Sequence, residues 1–173
     1  VISTTFNGKK LSALVSNYYR GTSLRNPFIV VEGFDPWKLT NAMCGETADR
    51  NAQVQLGTTN HLDFKENYWK TSSLSRLYDL IYIDWNDSIE DIKGNAQLLQ
   101  LIIQEINNKR DSDDTSGIVL MGQSMGGLVA RYALTSMENQ EKNHNVTTFI
   151  SHDTPHLGAN VPLGGLYFTR SLI

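Results

Sequence analysis

The sequence lacks the features that mark several classes of protein. It has a single cysteine, Cys44, which excludes an intramolecular disulfide and any metal cluster built from cysteines. No apolar run approaches the roughly 20 residues that cross a bilayer, so we expect no membrane-spanning segment. The chain has 15 basic and 18 acidic residues, for a formal net charge of −3. Because basic residues are not in excess, we expect no nucleic-acid partner.

The length and the two ends of the chain bear on its domain organisation. The 173 residues suffice for one domain with a sizeable core. The chain begins at Val1 rather than at a methionine, and it ends on the apolar-rich stretch "YFTRSLI" without a helix cap or another stop signal. We therefore expect a single domain over 1–173, truncated from a longer protein, so the missing signal peptide carries no information.

Strand and helix patterns alternate along the chain. Asn7-Gly8 predicts a hairpin over 1–20. Apolar runs predict buried strands, and helical spacing of apolar residues predicts helices. The strands are expected at 28–31, 78–85, 118–121 and 146–150, and the helices at about 89–106, with a capping box of Ser88 and Asp91, and at 125–139. This order favours the α/β class, a mostly parallel sheet with helices on both faces, with its core at 25–165 and an irregular insert at about 37–73.

The stretch "MGQSMGGLVARYAL" over 121–134 joins a predicted strand to a predicted helix at the sheet edge where such folds bind ligands. The chain must turn sharply at Ser124, and side chains at Gly122 and Gly126 would collide there. Such a turn holds a hydroxyl at a helix N-terminus, where the Met125 N–H can face a forming oxyanion. The alternative is a tight turn that merely contains a serine.

Three segments carry a resemblance to a known family. "GQSMGGLVARYAL" resembles the nucleophile region of α/β-hydrolase lipases and esterases, and "FIVVEGFDP" resembles their oxyanion-loop strand, with Glu32-Gly33 in place of the usual His-Gly. "ISHDTPHLGANVP" is similar to the Thr-Pro-His-x-Gly loop of lipases in the acyltransferase-like and inositol-deacylase-like groups. Together, "VVEGFDP", "DWNDSIEDIKGNA" and "ISHDTPHLGANVP" are most similar to hydrolase-like domains of large exported Bacteroidetes-type proteins, which implies a secreted or cell-envelope location.

The resemblance assigns roles to particular residues. It implies that Ser124 is the nucleophile and that the Met125 and Phe34 N–H groups are the oxyanion donors. The activity it implies is hydrolysis of a carboxylic ester through an acyl-enzyme, without a cofactor or a metal ion, on an acyl-ester or lipid substrate. Two alternatives stay open: a non-catalytic hydrolase-like binding module of a larger surface or secreted protein, and a thioesterase or amidase on the same fold.

The acid and the base of a catalytic triad are less clear. In this fold they follow the serine in the order carboxylate, then histidine, which Asp153 and His156 satisfy. The alternative is that these two residues and His152 form hydrogen bonds within their loop and shape the floor of the site. The resemblance implies that the histidine of Thr-Pro-His-x-Gly is not the base. We therefore expect the acid and the base beyond Ile173, in a part of the parent chain that completes the site.

Two other features are explained without a ligand. Acidic residues cluster at 84–91 and at 111–114, but a helix start and a polar turn account for them, so we expect no metal site. Aromatic residues of the insert are expected to pack in the core rather than to form a lid over an acyl chain. They are Trp37, Tyr68 and Trp69.

Overall fold

The computed structural model describes residues 1–34, 64–86 and 90–160. Within these ranges the chain forms one six-stranded sheet, two α-helices and two short helical turns. The strands are β1 (Ile2–Phe6), β2 (Lys9–Tyr18), β3 (Pro27–Val31), β4 (Asp79–Trp85), β5 (Ile118–Gln123) and β6 (Val146–His152). The helices are α1 (Ile92–Lys109) and α2 (Met125–Asn139), and the short turns are a π-helix at Phe64–Trp69 and a 3-10 helix at Ser73–Arg76.

The sheet has the strand order β1-β2-β4-β3-β5-β6. Strands β4, β3, β5 and β6 run parallel, whereas β1 and β2 join antiparallel at the β4 side. The mostly parallel α/β sheet that the sequence predicts is therefore confirmed. The predicted hairpin is also present, because Asn7 (φ 48°) and Gly8 (φ 80°) form the two-residue turn between β1 and β2.

The two faces of the sheet pack against different parts of the chain. Alternate residues of the strands, such as Ile29 and Val31, are fully buried beneath α1 and α2. The neighbouring positions, such as Phe28 and Val30, pack on the opposite face against Phe64 and Trp69 of the π-helix. Both α-helices thus lie on one face, and in the described ranges the other face is covered by the 64–76 segment.

Helix α1 begins later than its sequence pattern predicts. Asp91 is the N-cap residue, and its carboxylate accepts a hydrogen bond of 2.7 Å from the Lys93 N–H. The expected capping box that starts at Ser88 is therefore wrong, because the carboxylate of Asp91 already satisfies a free N–H in the first turn. Ser88 itself lies outside the described residues.

Carboxylates fasten the loops at the amino ends of the parallel strands. Asp79 is 1% exposed and accepts hydrogen bonds from the Arg20 and Arg25 main-chain N–H groups, at 2.9 and 2.7 Å. Asp111 accepts from the Ser23 hydroxyl at 2.7 Å, and Asp114 forms an ion pair of 3.0 Å with Arg110. The acidic turn at 111–114 is thus a set of loop contacts, and no cluster of metal-ligating side chains occurs in the described residues.

Within the three described ranges, no helix is both long and apolar enough to cross a membrane.

We predict that Asp111 contributes stability that acid removes. The Asp113 N–H, the Ser23 hydroxyl and Arg25 hold the pKa of Asp111 below its ordinary value. A carboxyl with a lowered folded-state pKa stabilises the fold above its unfolded pKa of about 3.9, and this stability is lost as the pH falls through the folded pKa. Urea unfolding between about pH 6 and pH 3 should show a shallower acid loss in Asp111→Asn than in the wild type.

The control for this prediction is Asp113→Asn, because the Asp113 carboxylate makes no hydrogen bond or ion pair with any described residue. It should keep the wild-type pH dependence. Equal acid sensitivity of the wild type and Asp111→Asn would show that the Asp111 contacts contribute nothing.

Candidate functional site

Ser124 stands at the carboxyl edge of the sheet, between the last residue of β5 and the first residue of α2. Its backbone has φ 48° and ψ −123°, a region that residues with a side chain rarely adopt. Such a conformation costs about 1–3 kcal/mol and persists only where the surrounding structure enforces it. The sharp turn between strand and helix that the sequence predicts at Ser124 is present.

The glycines on both sides of Ser124 let the strand, the helix and β3 approach closely. A Cβ atom on Gly122 would lie 2.6 Å from the Gly127 nitrogen. A Cβ atom on Gly126 would overlap the carbonyl oxygens of Val31 and Glu32 at the end of β3. Only glycine fits at these two positions, because the opposing atoms belong to backbone that cannot rotate away. The first turn of α2 therefore packs directly on the end of β3.

The loop after β3 passes against the serine. A Cβ atom on Gly33 would lie 2.9 Å from the Gln123 carbonyl oxygen and 3.0 Å from the Ser124 Cβ. The next residue, Phe34, is 42% exposed and lines an open depression of about 630 Å³ together with Met125. The structure thus brings together Ser124, Phe34 and Met125, which the sequence predicts as nucleophile and oxyanion donors.

The two N–H groups in this depression have no acceptor within the described part of the chain. Met125 is the first residue of α2, where the N–H groups lack partners in the helix, and the Phe34 N–H also makes no hydrogen bond there. The Ser124 hydroxyl likewise makes no hydrogen bond with a described residue. Ser124, Phe34 and Met125 thus each carry a polar group that no described residue satisfies.

The neighbouring strand β6 fixes the Ser124 main chain. The Ser124 N–H donates to the His152 carbonyl oxygen at 2.9 Å, and His152 lies opposite Gln123 in the β5–β6 pairing. Sequence reasoning names His152 only as a residue of the loop floor. If the predicted strand at 146–150 is extended by two residues, to the end of β6, it places the His152 carbonyl beside the turn at Ser124.

The structure does not join Asp153 and His156 into an acid–base pair. His156 lies 2.7 Å from the Ser151 hydroxyl through Nε2 and 3.5 Å from the Arg131 guanidinium through Nδ1. Both ring nitrogens of His156 thus face groups other than the Asp153 carboxylate and the Ser124 hydroxyl. Asp153 follows β6 with φ 49°, is exposed, and makes no hydrogen bond with a described residue. These contacts favour the interpretation that the loop residues shape the floor of the site.

His144 lies away from Ser124, before the first residue of β6. Nδ1 of His144 accepts from the Val146 N–H at 2.9 Å, and its Nε2 lies 3.4 Å from the Glu138 carboxylate. His61 falls outside the described residues, as does Trp37 of the insert.

A second cavity, of about 450 Å³, lies on the face of the sheet opposite α1 and α2. Phe28, Phe64 and Trp69 form its aromatic wall, and Gln123 and His152 reach it from the strand ends next to Ser124. Trp69 is 6% exposed, as expected for a core residue, whereas Tyr68 is 57% exposed at the rim. The candidate site therefore has an apolar cavity on each side of the β5–α2 turn.

The fold and this site define a class of protein, the α/β-hydrolases. A lipase of Bacillus licheniformis, BlEst2 in its mature form, has the same fold with a TM-score of 0.52 and 20% identity, over 91% of this chain and 52% of the lipase. A thermophilic esterase of Thermogutta terrifontis also has a TM-score of 0.52, with 17% identity, over 98% of this chain and 50% of the esterase. The chain thus spans about half the length of these enzymes.

The chain belongs to the family described as "Putative serine esterase (DUF676)", whose model matches residues 57–169. Among its relatives is a GPI inositol-deacylase of Emericella nidulans, 35% identical over 102 residues, which are 50% of this chain and 9% of the relative. Another is a GPI inositol-deacylase of Candida albicans, 32% identical over 96 residues, which are 54% of this chain and 23% of the relative. The chain spans less than a quarter of the length of these two relatives.

We predict that Gly126→Ala destabilises the fold and Gly21→Ala does not. An added methyl group at 126 meets the main-chain carbonyls of Val31 and Glu32, whereas nothing lies within 4 Å of a Cβ at Gly21. Forcing an extra methyl into a packed region costs about 1–3 kcal/mol. Urea unfolding should show a loss of this size for Gly126→Ala and a change within about 0.5 kcal/mol for Gly21→Ala. Equal stability of the two variants would contradict the close approach of α2 to β3.

Proposed function

We propose that this chain carries the nucleophile and the oxyanion site of a serine carboxylic-ester hydrolase. Ser124 is the nucleophile, and the N–H groups of Phe34 and Met125 are the donors for the oxyanion. The observation that carries the proposal is the close approach of Gly33 to the serine: a Cβ atom on Gly33 would lie 3.0 Å from the Ser124 Cβ, and the next residue, Phe34, lines one depression with Met125. Membership of a serine-esterase family supports the same reaction type.

In the proposed reaction the Ser124 Oγ attacks the carbonyl carbon of the ester while a base takes the hydroxyl proton. The carbonyl oxygen becomes an oxyanion, and the Phe34 and Met125 N–H groups donate hydrogen bonds to it. When the tetrahedral intermediate collapses, the bond to the alcohol oxygen breaks, and the alcohol leaves with the proton from the base. Water then attacks the acyl-enzyme by the same route and releases the carboxylic acid and free Ser124.

The base is proposed to come from a part of the parent protein outside the described residues. The ring nitrogens of His144 and His156 are engaged with other groups, and no described histidine is hydrogen bonded to the Ser124 hydroxyl. Asp153 stays a candidate for the acid, because it follows β6, the strand beside the serine. In this proposal the domain extends past the 173 residues, and the rest of the parent chain completes the site.

The proposed substrate is an acyl ester of a polyol or a lipid. The depression at Phe34 and Met125 is lined by Ile92 and Tyr132 as well, and the cavity on the other face has an aromatic wall, so both sides of the serine suit apolar groups. The relatives named GPI inositol-deacylase support an ester on inositol or a similar polyol. Hydrolysis of a thioester or an amide would use the same nucleophile and the same N–H donors. These substrates differ from an ester only in the group that leaves, a thiol or an amine instead of an alcohol.

One observation favours a second candidate function, a non-catalytic binding module. It is the absence of a hydrogen-bonded base at the Ser124 hydroxyl within the described residues. In that case the depression would bind an ester or a carboxylate without cleaving it.

The experiment that tests the proposal is labelling by a fluorophosphonate, followed by intact mass measurement. A single adduct is expected on the parent protein, which supplies the proposed base, and none on its Ser124→Ala variant. The matched control is Ser151→Ala, because Ser151 is an exposed serine that already contacts a histidine, at 2.7 Å from His156. This control tests whether the Ser151–His156 contact carries the adduct instead, and Ser151→Ala should label like the wild type.

An adduct that survives in Ser124→Ala, or that disappears in Ser151→Ala, would contradict the assignment of the nucleophile. The 173 residues alone should label much more slowly than the parent protein, because the proposed base lies outside them. An adduct on the parent supports the hydrolase, and silence of the parent supports the binding module.

A further inference from the structure

Glu32 is a buried acid directly before the loop that carries Phe34. It is 5% exposed, and it stands at the position where the sequence resemblance leads one to expect histidine. Burying a carboxyl group is costly unless hydrogen bonds compensate for the lost water. The hydrogen bonds of the Glu32 side chain therefore offset the cost of burying it.

Three hydrogen bonds join Glu32 to the end of β4. The Glu32 carboxylate accepts the Trp85 main-chain N–H through Oε2 at 3.0 Å. The Trp85 indole N–H donates to the Glu32 main-chain carbonyl oxygen, also at 3.0 Å. The Glu32 N–H donates to the Ile83 carbonyl oxygen at 3.1 Å. Glu32 is thus held by its N–H, its carbonyl and its side chain at once.

These contacts replace one main-chain hydrogen bond between β3 and β4. The β3–β4 pairing ends at Val31 and Ile83. A parallel ladder continued by one step would pair the Trp85 N–H with the Glu32 main-chain carbonyl. Here the partners are exchanged: the main-chain N–H donates to the carboxylate, and the main-chain carbonyl accepts from the indole. The exchange ends the ladder with every one of these groups satisfied.

The path of Gly33 and Phe34 depends on where the β3–β4 pairing ends. Gly33 leaves the sheet and passes against the Gln123 carbonyl and Ser124, and Phe34 then lines the depression with Met125. The Glu32 carbonyl is also the atom against which Gly126 packs. A change in the Glu32 contacts would therefore shift the Phe34 N–H relative to the start of α2.

We propose that Glu32 is a positioning residue, whose carboxylate fixes the direction of the Phe34 N–H toward the oxyanion that forms at Ser124. The role rests on the proposed hydrolase function. Glu32 acts through the main chain, as a hydrogen-bond acceptor for Trp85, and does not contact the substrate.

The test compares variants that keep or remove the acceptor. Glu32→Gln keeps an oxygen that can accept the Trp85 N–H, whereas Glu32→Ala removes it. The matched control is Asp79→Ala, because Asp79 is an equally buried carboxyl at the opposite end of β4, bonded to main-chain N–H groups of the Arg20–Arg25 loop. If Glu32→Ala does not fold, Glu32→Leu replaces it, since leucine fills the apolar space but offers no acceptor to the Trp85 main-chain N–H.

Two readouts are measured on folded variants of the parent protein, well below their unfolding temperatures. The first is the rate constant of fluorophosphonate labelling at Ser124. It should fall about 10²-fold or more in Glu32→Ala, comparable to the loss of one oxyanion donor, and should stay within about threefold in Glu32→Gln and Asp79→Ala. The second is the order of the Phe34 amide, from its ¹⁵N heteronuclear NOE. It should drop in Glu32→Ala alone among these three variants.

The outcomes separate the positioning role from stability and from the proposed function. Equal slowing in Asp79→Ala would show that general destabilisation is the cause. A slow Glu32→Gln with an ordered Phe34 amide would also overturn the proposal, because the acceptor is retained there. A wild-type parent protein that the probe does not label contradicts the proposed function. The Phe34 amide still decides the positioning role in that case, and unchanged order in Glu32→Ala refutes it.

Discussion

The close approach of α2 to the end of β3 is the contact on which the rest of the site depends. Gly126 lies against the carbonyls of Val31 and Glu32, where no side chain fits, and Gly33 lies against Ser124. These contacts force the turn at Ser124 into a conformation that costs about 1–3 kcal/mol. The packing of α1 and α2 on the apolar face of the sheet supplies the energy that maintains it. The strained conformation of Ser124 therefore persists because apolar burial elsewhere in the fold stabilises it.

Stability and the candidate chemistry are concentrated at opposite edges of the sheet. At the amino ends of the parallel strands, Asp79 and Asp111 bind loop N–H groups, a serine and arginines, and these contacts hold the chain crossings in place. At the carboxyl ends, the Phe34 and Met125 N–H groups have no acceptor in the described residues. Free donors are costly in a stable core but useful where charge develops on a substrate. Glu32 differs from both sets of residues. Its carboxylate is hydrogen bonded, as those of Asp79 and Asp111 are, but it lies at the carboxyl ends of the strands, directly before the loop that carries the Phe34 N–H.

Much of the fold could be predicted from short-range patterns. Short apolar runs predict β3, β4, β5 and β6, and β3 is buried on both faces of the sheet, as expected for a continuous apolar run. The predicted bounds of α2, 125–139, agree with the structure. The start of α1 was misjudged, since several acidic and hydroxyl residues there can cap a helix and only the tertiary structure selects Asp91. The antiparallel pairing of β2 with β4 and the hydrogen bonds of Glu32 and His156 depend on residues far apart in sequence, and no local pattern encodes them.

The measurement that tests the account most directly is a crystal structure of the chain, alone or within its parent protein, after reaction with a fluorophosphonate. A phosphonate attached to serine places a negatively charged oxygen where the ester oxyanion would form. The account predicts a bond from phosphorus to the Ser124 Oγ, with this oxygen about 2.7–3.1 Å from both the Phe34 and the Met125 nitrogen. An oxygen directed away from the two N–H groups, or a phosphonate on another residue, would contradict the assignment of the site.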